Sequence, residues 1–420
     1  MQLSYSDHKK VSQTATKAAI KKLTEYRAHV QNVIETANQK QPEYSLALWR
    51  DEDMQQAVYE VTASFKKVKH VVLVGIGGSS LGVEAIHSVL ATETSPELHV
   101  IDTIAPYDLE RVLASLVKVK KVEHLAICVV SKSGNTTETL ANAEVLLGNL
   151  EEQFGKAIYQ QTIFIGDPKS LLLATAKKLK AQTITMPAIV GGRYSVFTPV
   201  GLVPLQLLGH DTEAILAGLE DVTSVSYEEI VAESAAKLYL HMKAGGVRDV
   251  NFFAFDTRLV RLGKWYRQLT AESLGKEKNV RGKANTLGFI PTVSTPVELH
   301  SVGQLYLSGF AGVYTDFVTF DDDVADFELP KKPRVAGKLK GKRLQDIAAA
   351  IYGGVIGAYQ ARTLPYRTTI FDEELDYSLG LFMGMRMLET MYIANLMEVN
   401  AFDQPNVELY KTKTKKLLKI

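Results

Sequence analysis

The chain has 420 residues, of which 46% are hydrophobic and 23% charged, enough for two ordinary folded domains. Its formal net charge is +1, so no overall field recruits nucleic acid or an anionic membrane. The single cysteine, Cys128, excludes an intramolecular disulfide, and the first residues carry no apolar signal core, so a cytoplasmic protein is expected.

Residues 12–40 are polar with helical spacing and predict a helical arm. An alternation follows. Strands are predicted at 71–74, 99–102, 125–130, 162–165 and 183–186, with helices at 81–90, 107–117 and 138–150. Asp167-Pro168 reads as an N-cap followed by proline at the first helical position. Strands separated by helices of ten or so residues predict a parallel sheet with helices on both faces. A second series follows a helical region at 227–243, with strands at 250–255, 288–293, 316–320 and 368–371 and helices at 261–274, 298–307 and 375–399. The uncharged stretch 347–361 contains two adjacent glycines and falls short of the roughly 20 residues that span a bilayer. Asp321-Asp322-Asp323 through the lysines of 331–342 reads as a surface excursion, and the basic run from Lys411 to Lys419 as a solvated helix end. No low-complexity linker divides the two halves, so they are expected to pack closely.

The segment Ser131-Lys132-Ser133-Gly134-Asn135-Thr136-Thr137-Glu138-Thr139 leads from a buried strand into a helix. Such a turn gathers free backbone N–H groups and hydroxyls at a helix N-terminus, which suits a phosphate. An ordinary capped turn is the alternative. The first strand-to-helix turn, Gly75-Ile76-Gly77-Gly78-Ser79-Ser80, fails the Gly-x-Gly-x-x-Gly spacing on both frames, which disfavours a dinucleotide cofactor. It offers flexible backbone plus Ser79 and Ser80 at a helix start, which suits a second anion contact or close approach of a sugar. Gly191-Gly192-Arg193 permits backbone approach to a ligand beside a fixed positive charge, although most such arginines are structural. The nine histidines are scattered without metal-ligand spacing, and the Glu84/His87 pair has no identifiable partners.

Together these pieces resemble the glucose-6-phosphate isomerase (phosphoglucose isomerase) family, in its shorter bacterial form. The resemblance rests on Gly-Ile-Gly-Gly-Ser at 75–79, the Ser/Thr-rich turn at 131–139 and Gly-Gly-Arg-Tyr-Ser at 191–195. It extends to Glu-Ser-Leu-Gly-Lys at 272–276, Leu-His-Ser-Val-Gly-Gln at 299–304 and Phe-Asp-Gln-Pro-Asn-Val-Glu-Leu-Tyr-Lys at 402–411. Asn406 departs from the glycine usual in the family; asparagine tolerates positive φ best after glycine, so only a small local cost is expected.

The resemblance implies two flavodoxin-like sugar-isomerase (SIS) subdomains, with a helical arm at 1–45 packing on the second, a first SIS domain at 46–192 and a second at 193–420. It further implies a homodimer with its active site at the interface, no metal or organic cofactor, and interconversion of glucose 6-phosphate and fructose 6-phosphate in glycolysis and gluconeogenesis. Ser131, Lys132, Ser133, Thr136 and Thr139 would hold the phosphate, assisted by Gly78 and Ser79. His300, supplied by the neighbouring subunit, and Lys411 would open the ring. Glu272 would move the proton between C2 and C1, a general-base task. Arg193 would stabilise the enediolate and Gln404 orient a hydroxyl or water. A dual glucose/mannose isomerase and a non-catalytic sugar-phosphate sensor are the competing readings.

Overall fold

The computed structural model describes residues 2–5, 11–244, 246–308, 312–321, 327–371 and 374–419. Ten strands are described: β1 (Gln2–Tyr5), β2 (His70–Val74), β3 (Glu97–Ile101), β4 (Leu125–Ser131), β5 (Thr162–Gly166), β6 (Gln182–Thr185), β7 (Asp249–Ala254), β8 (Ile290–Ser294), β9 (Val313–Phe320) and β10 (Tyr366–Phe371). They form two five-stranded sheets with helices packed on their faces. Among the described residues no helix is long and apolar enough to cross a membrane.

The first sheet has the order β3-β2-β4-β5-β6 and is wholly parallel. This is the doubly wound order whose topological switch lies between its first and third strands, here β2 and β4. All seven residues of β4 are buried because both faces are covered, which accounts for its unbroken apolar sequence. Its side chains alternate between two cores. Ala126, Cys128 and Val130 face a core shared with the second half of the chain, and Leu125, Ile127 and Val129 face the outer helices. Burial pushes the Cys128 thiol up to about 12, as befits a packing residue.

The second sheet has the order β1-β10-β9-β7-β8, parallel except for β1. Phe252 and Val250 reach the same shared core as β4, so the two halves are joined by continuous apolar packing. Phe253 and Phe317 face away from it, toward Tyr359 and Tyr366. A buried ionic cluster crosses this half. Arg367 bonds Asp316 at 2.6 Å and Glu389 at 2.5 Å, and Arg386 reaches the same two carboxylates at 3.1 Å each.

Several elements differ from the sequence expectation. β1 is not among the expected strands: its four residues pair antiparallel with β10, and only that distant partner makes them a strand. The uncharged stretch near 347–361 belongs to a helix, Leu344–Ala361. The predicted helix at 298–307 is two pieces, a 3-10 turn Pro296–His300 and a short helix Gly303–Ser308. Glu298 closes that first turn by accepting from the Thr295 backbone N–H and hydroxyl at 2.6 and 2.7 Å. Asp167 is not a helix cap. It accepts from the Lys169 N–H in a turn, and Ser170 caps the helix Leu171–Lys178. The lysine-rich excursion is largely exposed among the described residues, while Asp322 and Asp323 lie outside them.

The polar N-terminal segment forms two helices, Gln13–Lys22 and Thr24–Glu35. Arg27 ties the second of them to Glu228 on the helix Val225–Lys243, its Nε donating at 2.7 Å.

Candidate active site

The carboxyl ends of β2 and β4 flank the switch point of the first sheet, where open α/β sheets bind ligands. Both Ser/Gly-rich turns leave from there. After β4, Ser131 Oγ accepts from the Gly134 N–H at 3.1 Å and bonds the Thr136 hydroxyl at 3.0 Å. Gly134 has φ +66°, and a Cβ there would meet the Ser170 side chain at 2.6 Å. This folded turn delivers Thr136 to the N-cap of the helix Thr137–Phe154. Ser133 stands exposed, its Oγ accepting from the Asn135 N–H. Thr139 is buried, and its hydroxyl has no hydrogen-bond partner.

Lys132 is expected to meet a phosphate through its backbone or its ammonium, and the ammonium is engaged elsewhere. Its Nζ donates to the Val190 carbonyl at 2.8 Å. Burial, aided by the nearby Arg193 charge, holds this ammonium below the ordinary lysine range. Lys132 thereby fastens the Ser/Thr turn to the chain just before Gly191-Gly192-Arg193.

Opposite that glycine pair, close approach requires glycine at position 78. A Cβ on Gly78 would lie 2.2 Å from the backbone of Gly192, so the first glycine turn and the Arg193 turn are in direct contact. Ser195 adds a hydroxyl donating to the Gly78 carbonyl at 3.2 Å. Ser79 is half-buried in the same turn.

Arg193 is buried at the centre of the site. Its Nε donates to Ser273 Oγ at 2.8 Å, and its Nη1 to Gln404 Oε1 at 2.8 Å and Glu272 Oε2 at 3.2 Å. Its Nη2 donates to the Ala401 and Asp403 carbonyls. Five partners fix the guanidinium rigidly while its charge is only partly neutralised. Glu272 sits in the last turn of the helix Val260–Leu274, with Gln268 one turn earlier donating to its Oε1 at 3.1 Å. Glu272 and Gln404 line a pocket of about 590 Å³ with Lys276, Asn279, Asn400 and Asp403.

Three of the sequence candidates, Arg193, Glu272 and Gln404, therefore meet directly, and Gly78 abuts their turn. His300 and Lys411 do not join them within one chain. His300 is exposed on its 3-10 turn, and Lys411 pairs with Glu408 at 2.7 Å on the helix Glu408–Leu418. Asn406 lies in the turn Pro405–Val407 and is not among the residues with positive φ, so the backbone cost expected there does not arise.

Sequence reasoning does not single out Gln268 and Lys276. Gln268 holds Glu272 and also packs under Gly77, where a Cβ would meet its Nε2 at 2.9 Å. Its spacing of four from Glu272 is the available signal. Lys276 donates to the Glu272 carbonyl at 2.7 Å and pairs with Asp403 at 3.0 Å, stapling the helix end to the 401–404 turn.

The family model for phosphoglucose isomerase matches residues 10–320. The chain belongs to the phosphoglucose isomerase family. It is 31% identical over 372 residues to the glucose-6-phosphate isomerase of Carboxydothermus hydrogenoformans, covering 84% of this chain and 79% of that one. It is 32% identical over 359 residues to that of Thermus thermophilus, covering 84% of each. Among solved structures, a hypothetical protein from Thermus thermophilus superposes with a TM-score of 0.85 at 28% identity, over 99% of this chain and 100% of that one. The glucose-6-phosphate isomerase of Chlamydia trachomatis shares the fold, with a TM-score of 0.82 at 18% identity over 99% of this chain and 88% of that one. Across the family match lie the two Ser/Gly turns, Arg193, Glu272 and His300; Gln404 and Lys411 fall beyond it.

Proposed function

We propose that this chain reversibly interconverts D-glucose 6-phosphate and D-fructose 6-phosphate through ring opening and a cis-enediolate. The observation that carries this reading is the Glu272 carboxylate beside the immobilised Arg193 at the rim of an open pocket. Isomerisation beside a carbonyl needs one base that can take a proton from C2 and return it at C1. It also needs a cation fixed where the enediolate charge develops. Glu272 lines the pocket and is 32% exposed, with its second lone pairs left to meet the C–H. Arg193 is held by its five partners and need not reorganise as charge appears. With all five of its N–H groups committed to the protein, Arg193 would act on the enediolate through its fixed charge.

The Ser131/Ser133/Thr136/Thr139 turn is the proposed phosphate seat, with Ser79 and Gly78 nearer the sugar. Lys132 acts as a brace between that seat and Arg193. Gln404, bonded to Arg193, would orient a hydroxyl or water.

Ring opening is assigned to His300 and Lys411, with the histidine contributed by a second copy. The strand directions support that arrangement. The helix ending in Glu272 runs back toward the start of β8, whereas His300 follows the far end of β8. The two residues thus belong to opposite ends of the same strand. The helix Leu344–Ala361 buries only Val355 and Tyr359, and the helix Glu408–Leu418 buries nothing. Leu409, Leu417 and Ile351 are exposed to 65%, 83% and 46% within one chain, apolar surface that a homodimer would cover.

The test is conversion of fructose 6-phosphate in EDTA, with glucose 6-phosphate measured by a coupled dehydrogenase and mannose 6-phosphate run in parallel. Conversion of fructose 6-phosphate alone is expected. Equal use of mannose 6-phosphate would make the enzyme a dual isomerase, and binding without conversion would make the chain a sensor.

A further inference from the structure

At the opposite end of the first sheet from the Ser/Gly turns, three side chains converge. His70 opens β2 and Glu97 opens β3, and the two are register partners in the parallel ladder. His99 lies two residues after Glu97, so strand periodicity puts all three on one face. His70 Nδ1 is 3.2 Å from His99 Nε2 and 3.3 Å from Glu97 Oε2, and His99 Nε2 is 3.6 Å from Glu97 Oε2. A hydrogen-bonded chain of three groups needs two short contacts. Here a third edge of 3.6 Å, too long for a hydrogen bond, closes the chain into a nearly equilateral triangle of ligand atoms.

The size of that triangle is informative. Ligands about 2.0–2.2 Å from a tetrahedral cation are separated by about 3.3–3.6 Å. Two of the three edges fall within that spacing and the third, at 3.2 Å, lies just below it. The geometry points to a site for a divalent transition cation of the zinc class, held by His70, Glu97 and His99. Two imidazoles and one carboxylate select Zn²⁺ and its neighbours over Mg²⁺ or Ca²⁺, which favour all-oxygen sets. His99 is buried, His70 partly so, and Glu97 is 59% exposed, leaving the fourth position open to water. Because β2 and β3 meet here at the edge of the sheet, the ion would clamp the first two strands together, remote from the reacting groups.

The histidines stand 29 residues apart on separate strands, so no sequence spacing announces the cluster. The experiment uses the full chain stripped with a chelator and dialysed. Titration with Zn²⁺ is followed by calorimetry, and with Co²⁺ by its visible ligand-field bands, alongside Tm and isomerase turnover. One equivalent per chain is expected, with intense tetrahedral Co²⁺ absorption, a raised Tm and turnover unchanged within a factor of two. His99→Ala should weaken binding by more than the roughly 10–100-fold typical of losing an outer-sphere partner. Glu97→Ala, at a position 59% exposed, should abolish the tetrahedral signature with the fold retained by circular dichroism. Absence of stoichiometric binding, or binding that survives Glu97→Ala unchanged, would overturn the assignment. A His87→Gln/His210→Gln variant should bind as the parent does; loss of binding there would move the site elsewhere.

Discussion

Arg193 and Glu272 are 3.2 Å apart yet differ sharply in exposure, the guanidinium side chain being 1% accessible and the carboxylate 32%. The pair is thus an ion pair with one side open. Arg193 is committed to the protein, whereas the Glu272 carboxylate, although held at Oε2 by Arg193 and at Oε1 by Gln268, keeps an exposed side. Glu272→Gln should lower kcat by about 10²-fold or more while leaving sugar-phosphate binding intact. Arg193→Ala should also fall mainly on kcat. Steady-state kinetics with an independent binding measurement separates the effects, and near-parental turnover in the glutamine variant would remove Glu272 from the base role.

Thr139 offers a test of the phosphate seat that does not confound binding with folding. Its hydroxyl is buried and unpaired, so Thr139→Val removes a group that the free protein does not use. Stability should hold or rise slightly. A hydrogen bond to a charged group is worth roughly 1.5–3 kcal/mol, so KM for fructose 6-phosphate should rise about 10-fold or more. An unchanged KM would place the phosphate elsewhere.

Sharing of His300 between copies is testable by subunit exchange. His300→Ala and Glu272→Gln should each be nearly inactive alone. If each site combines the two residues from different chains, a mixed dimer carries one site with neither substitution. Random reassociation should then recover about a quarter of parental activity. No recovery, with exchange confirmed by differently tagged chains, would mean that both residues act within one chain.

The pair Glu84/His87, without evident partners in the sequence, is engaged in the fold. Glu84 pairs with Arg261 at 2.6 Å, and His87 Nδ1 lies 2.9 Å from His210 Nε2. Burial lowers both imidazoles, His210 to about 4, where the His87 charge adds to the effect. A histidine depressed in the folded state leaves the unfolded chain binding more protons, so stability falls as the pH is lowered. The loss begins near 6.5 and continues toward about 4. Each tenfold difference in proton affinity between the two states corresponds to about 1.4 kcal/mol. Urea unfolding at pH 7.5 and 5 should show a larger drop for the parent than for His210→Gln; equal drops would refute the assignment.

The buried cluster of Arg367, Arg386, Asp316 and Glu389 balances two cations against two anions with side chains at most 3% exposed. Glu389→Leu leaves buried positive charge uncompensated and should cost about 3–5 kcal/mol in denaturant unfolding. A change below about 1 kcal/mol, the worth of an exposed pair, would show that the cluster relaxes or admits water.

The α/β alternation is legible because buried parallel strands are continuously apolar, and β4 lies within one residue of its expected span. β1 is not legible, since a strand of four mixed residues has no signal apart from its distant partner. At the site, the residues that touch substrate in the proposed mechanism stand out through the Gly, Ser and Arg turns. Their supports do not. Gln268 looks like any helical surface residue until Gly77 is seen resting on it. The Lys132 ammonium gives no sign in the sequence of the Val190 carbonyl it meets. Both depend on packing between segments far apart in the chain.

The antiparallel pairing of Gln2–Tyr5 with Tyr366–Phe371 sets a schedule for the molecule as it is made. β1 leaves the ribosome long before its partner exists, and nearly all of the intervening chain must be synthesised first. At typical translation speeds of about 5–20 residues per second, that wait lasts roughly 20–70 s. Until then the second sheet lacks its bordering strand, and once β10 has emerged, its open edge invites pairing with another nascent chain. Docking of β1 is therefore a closing step of biogenesis, and an extension fused ahead of Gln2 would act on the yield of folded protein before it acted on catalysis.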